Sequence, residues 1–89
     1  MIPTFADRLR CLMDRGNLTV SDLARWFGRP HPTVNGWVKG VALGGAPLDA
    51  ALILAEVTRL ERRIKRGDGF PVPRLSPTNR IAYLKRLRA

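Results

Sequence analysis

At 89 residues, with 45% hydrophobic and 26% charged positions, the chain is expected to be one small domain burying roughly 60 to 65% of its unfolded surface, which excludes wholesale disorder. Sixteen Lys and Arg against seven Asp and Glu leave a net charge of +9, a balance that favours an anionic partner, most often nucleic acid. One cysteine, Cys11, and one histidine, His31, cannot supply an internal disulfide or a usual structural zinc site, so a reduced, intracellular protein without metal or cofactor is expected.

Phe5, Leu9, Leu12 and Met13 follow a helical spacing between Thr4 and Arg15, with Thr4 as a cap and Gly16-Asn17 as a stop. Thr19 and Asp22 then have capping-box spacing, which predicts a second helix whose inward face is Leu23, Ala24 and Phe27 and whose stop is Gly28. Trp26 lies off that face. A third short helix is expected from Pro32 to Gly40, with Pro32 at its first position, where a missing N–H is harmless, and Val34 and Trp37 turned inward. After the glycine-rich connection from Gly40 to Pro47, nothing interrupts a long fourth helix from Leu48 to Arg66. Gly67-Asp68-Gly69 ends it, a proline-rich stretch follows, and Thr78 to Arg88 reads as a short basic helix edged by Ile81, Leu84 and Leu87. No stretch alternates with period two for long enough to argue a sheet, so the expected fold is all-α with about five helices.

The fourth helix carries two apolar stripes. Leu48, Ala51, Leu52 and Ala55 can close the core, which leaves Ile53, Val57, Leu60 and Ile64 as a candidate dimer seam, unless the last helix folds back onto them.

The second and third helices, joined by a tight glycine-containing turn, have the layout of a helix-turn-helix. The run LTVSDLARWFGRPHPTVNGWVKG resembles, without a gap, the helix-turn-helix of the phage-repressor and Cro-like (XRE-type) DNA-binding family. Leu18, Thr19, Leu23, Ala24, Gly28, Thr33, Val34, Trp37 and Gly40 carry the match. The resemblance spans roughly residues 4 to 60 and implies a lambda-repressor-like bundle, with the third helix in the major groove of double-stranded DNA and two copies bound as a dimer. It implies that Leu23, Ala24, Gly28, Val34 and Trp37 are structural. It places base contacts at His31, Pro32 and Gly36, with Thr33 and Asn35 beside them, and phosphate contacts near Thr19, Val20 and Lys39. Pro32 and Gly36 have no hydrogen-bonding side chain, and Val20 stands where the family often has glutamine, so direct readout falls to His31, Thr33 and Asn35. Gly36 is expected to permit close approach of a partner backbone.

The second half of the chain holds ten of the sixteen basic residues. Arg62, Arg63 and Arg66 at the end of the fourth helix, with Arg29 in the turn, are further candidates for phosphate contact, and the tail could instead meet an acidic partner protein. Residues 1–66 are therefore read as a DNA-binding domain and 67–89 as a basic extension. The function expected is a small phage- or mobile-element-type transcriptional repressor in the cytoplasm of a bacterial or phage-infected cell. The alternatives are an oligomeric packaging or replication adaptor, or a basic inhibitor of a host protein. No nucleophile with a neighbouring base, phosphate-cradling loop or small-molecule site is evident, so an enzyme is not expected, and no run is apolar enough for a membrane span.

Overall fold

Two capping boxes start the fold. Thr4 and Asp7 exchange side-chain and backbone hydrogen bonds at the head of α1 (Phe5–Gly16), and Thr19 and Asp22 do the same at the head of α2 (Val20–Phe27). Each box satisfies two backbone N–H groups that a helix start would otherwise leave unpaired. The bonds from Thr4, with Arg10 nearby, hold the Asp7 carboxyl below its ordinary pKa. Asn17 ends α1 in the left-handed region at φ 54°, and Gly28 ends α2 at φ 66°.

The computed structural model describes residues 4–43 and 47–88, and all regular structure among them is helical. After α2 come α3 (His31–Val38), α4 (Pro47–Arg66) and α5 (Pro77–Arg88). The five-helix, all-α expectation holds, with α4 the longest helix and α5 basic in its last turn. The connection expected from Gly40 to Pro47 lies partly outside the described residues. Helix α3 starts one residue earlier than expected, so Pro32 occupies its second position. The displacement costs no hydrogen bond, because the first four N–H groups of a helix have no intrahelical acceptor.

One apolar cluster runs through all five helices. It joins Leu9 and Leu12 of α1, Leu23, Trp26 and Phe27 of α2, Val34 and Trp37 of α3, Ile53, Val57 and Leu60 of α4, and Leu84 of α5. Here the expectation for α4 is reversed. Ile53, Val57 and Leu60 are buried and Ile64 packs against them, whereas Leu48 is 71% and Leu52 51% exposed, with Ala51 and Ala55 exposed beside them. The stripe assigned to a dimer seam closes the chain's own core. The flank of that stripe is fixed by Arg8 of α1, which donates to Glu61 at 2.6 Å and to Thr58 at 3.2 Å.

The carboxy-terminal region shares this core. Phe70 and Val72, in the link between α4 and α5, are 5% and 2% exposed. The Val72 N–H donates to the Gly16 carbonyl at 2.9 Å, and the Asn17 amide donates back to the Val72 carbonyl at 2.7 Å. Residues 67–88 are thus part of the packed body, and the division at residue 66 does not separate two cores.

Candidate functional site

Helices α2 and α3, eight residues each, are joined by Gly28, Arg29 and Pro30. The positive φ of Gly28 lets the chain reverse where a β-carbon would be strained, and the Arg29 N–H closes the turn on the Ala24 carbonyl at 3.0 Å. Ala24 is buried where the turn folds back. Helix α3 is held from one side: Val34 is fully buried, and Trp37 meets Phe5 edge to face at 5.7 Å. Such a pair adds about 0.5 to 1.5 kcal/mol beyond its buried area. Leu23, Ala24, Val34 and Trp37 are all buried, and Gly28 makes the left-handed turn.

The opposite side of α3 is left open. His31, Pro32, Thr33 and Lys39 are exposed, and Asn35 and Gly36 are half-buried. None of the His31, Thr33, Asn35 or Lys39 side chains has a hydrogen-bond or ion-pair partner among the described residues. His31, Asn35 and Lys39, spaced by four, fall along one side of α3, and Thr33 is exposed on a different side, about 160° from Asn35 round the helix. Gly36 is different. A β-carbon there would lie 3.6 Å from the Val41 side chain, and the Val41 N–H donates to the Gly36 carbonyl at 2.9 Å. The nearest neighbour of Gly36 is thus the Val41 side chain of its own chain.

The candidate phosphate contacts separate into groups. Thr19 uses its hydroxyl to accept from the Asp22 N–H in the capping box. Arg29 lies half-buried in the turn, and Arg62 is exposed on α4. Arg66 is 3.8 Å from Asp68 with most of its side chain in solvent. Arg63 serves the fold: it donates to the Leu87 carbonyl at 2.9 Å, lies 3.5 Å from Asp68 and stacks 5.6 Å from the Trp26 ring centre. Its guanidinium is thereby withdrawn from the set available to an external phosphate. No hydrogen bond or ion pair ties Arg62, Arg63 or Arg66 to α3.

A second constellation was not anticipated. Asp22, only 1% exposed, accepts from the Arg80 guanidinium of α5 at 2.6 Å, and Arg80 also donates to the Asn17 carbonyl. One turn along α2, Trp26 packs edge to face on Phe70 and lies beneath Arg63 and Arg88, the latter 5.7 Å from its centre. The signal available in the sequence was the spacing of Asp22 and Trp26. Four residues apart, they share a side of α2 that the Leu23 and Phe27 face does not use, and a buried acid and indole together require a covering element.

No family model, no curated protein and no solved structure matches this chain. Among the described residues, no group of His, Cys, Asp and Glu is placed to hold a metal ion, and no helix is long and apolar enough to cross a membrane.

Proposed function

We propose that this chain is a sequence-selective double-stranded DNA-binding protein, a small repressor of the phage-repressor and Cro-like kind, which inserts α3 into the major groove. The observation that carries the reading is the division of α3 into two faces. Val34 and Trp37 anchor one side, and round the rest of the helix the His31, Thr33 and Asn35 side chains have no hydrogen-bond partner among the described residues. A helix held rigidly and left polar outside, after a three-residue turn from a preceding helix, has the form of a reading helix. The net charge of +9 supplies the long-range attraction to phosphate.

In this reading Asn35 pairs with an adenine edge, His31 and Thr33 make single base contacts, and Lys39, Thr19 and Arg29 meet the backbone. Arg62 and Arg66 extend the basic surface. Two copies pair through the outward stripe of α4, Leu48, Ala51, Leu52 and Ala55. Residues 47–58 contain no Lys or Arg, so this is where two strongly basic chains repel each other least.

Fluorescence anisotropy on a bound duplex tests the roles separately. Asn35→Ala should lose about 1 to 3 kcal/mol on the preferred sequence and little on random DNA. Lys39→Ala should weaken both equally and reduce the slope of log K against log salt by about 1. Equal losses on both DNAs for Asn35→Ala would remove it from base reading.

A further inference from the structure

Trp26 stands where α2 and α5 meet, and a cleft of about 390 Å³ opens beside it. Its floor is apolar, made by Trp26 and Leu84, both buried, and by Ile81, which is 38% exposed. Its rim is cationic, with Arg25, Lys85 and Arg88. The acid in the lining, Asp22, is already bonded to Arg80 at 2.6 Å, so it offsets little of that charge. Arg88 lies 3.5 Å from Glu56, but among the described residues neither Arg25 nor Lys85 has an acidic partner. The lining contains no residue of α3.

We propose that this cleft is a docking site for an acidic peptide segment of a partner protein, with an apolar side chain on the floor and flanking carboxylates on Arg25 and Lys85. Charge complementarity alone would also suit DNA. The floor decides between them. A duplex presents its charges on a stiff, convex backbone and has no side chain to place on Trp26, Ile81 and Leu84, whereas a flexible acidic segment supplies both parts. Arginine and lysine around an apolar pocket suit carboxylates beside a buried anchor, the usual form of a small recognition site. The site goes beyond the DNA-binding reading and does not depend on it.

The full-length protein can be titrated into a fluorescein-labelled peptide with one leucine between two pairs of glutamates, and anisotropy recorded. Binding should weaken about tenfold when serine replaces the leucine, and by a similar factor when glutamines replace the glutamates. Lys85→Glu and Ile81→Ser should each weaken it about tenfold, at an unchanged melting temperature because both side chains lie outside the core, while Lys39→Glu should leave it intact. The proposal is overturned if the leucine and serine peptides bind alike, if Lys85→Glu has no effect, or if an equimolar random duplex displaces the peptide. Because the cleft contains no residue of α3, failure of the unaltered protein to bind DNA with peptide capture retained would count against the DNA-binding proposal alone.

Discussion

Gly36 shows how far a single residue can be read without its neighbours. Inside a helix, glycine costs about 1 kcal/mol relative to alanine, and the sequence alone suggested that something must come close. In the structure the added β-carbon would meet Val41 at 3.6 Å, an ordinary van der Waals distance. Gly36→Ala is therefore expected to raise stability by about 0.5 to 1 kcal/mol, measured as an upward shift of the urea midpoint at constant slope. A lower midpoint would mean that Val41 cannot accommodate the methyl group. Other residues were legible because their roles are local. Thr4 with Asp7, and Thr19 with Asp22, declare themselves by a spacing of three, and Gly28 by the need for a left-handed stop. His31, Asn35 and Lys39 were legible as one row because they recur every four residues, away from the side that Val34 and Trp37 bury.

At the scale of the element, α4 was legible as a helix but not in its rotation. Both of its stripes are apolar at helical spacing, and periodicity alone does not say which one faces inward. The choice depends on contacts distant in the chain: Arg8 reaches Glu61 and Thr58, and Ile64 packs near Gly16. Leu60→Ala should cost about 2 to 5 kcal/mol through loss of buried contact and the cavity left behind. Leu52→Ala, at an exposed position, should change the stability of the monomer by no more than about 0.5 kcal/mol. Chemical denaturation at low protein concentration distinguishes the two, and the opposite ranking would restore the rotation expected from sequence.

For the whole molecule, a charge count cannot tell an arginine that holds the fold from one left in solvent. Arg63, Arg80 and Arg88 belong to the first kind: they tie α4 and α5 to Trp26, Asp22 and Glu56. The apolar residues Phe70, Val72 and Leu84 complete the attachment. The Asp22–Arg80 pair is the contact whose loss should matter most. Its carboxylate is inaccessible, and removing one partner from a buried pair typically costs about 3 to 5 kcal/mol because the other charge is left uncompensated. Arg80→Ala should therefore lower stability by about that amount in thermal or urea unfolding. In a double-mutant cycle, Asp22→Ala on the Arg80→Ala background should cost less than it does alone. Additive losses would show that the pair is not coupled. The same integration makes point substitutions on α5 more informative than removal of residues 67–89, which would strip Phe70, Val72 and Leu84 from the core.

The claim on which the functional reading rests is that α3 reads DNA sequence, and selection of bound duplexes from a random pool tests it most directly. The result expected is enrichment of a two-fold symmetric site with half-sites about one DNA turn, ~34 Å, apart, and loss of preference at one position per half-site in Asn35→Ala. Tight, salt-sensitive binding with no enriched sequence, or the same enrichment after Asn35→Ala and His31→Ala together, would contradict it.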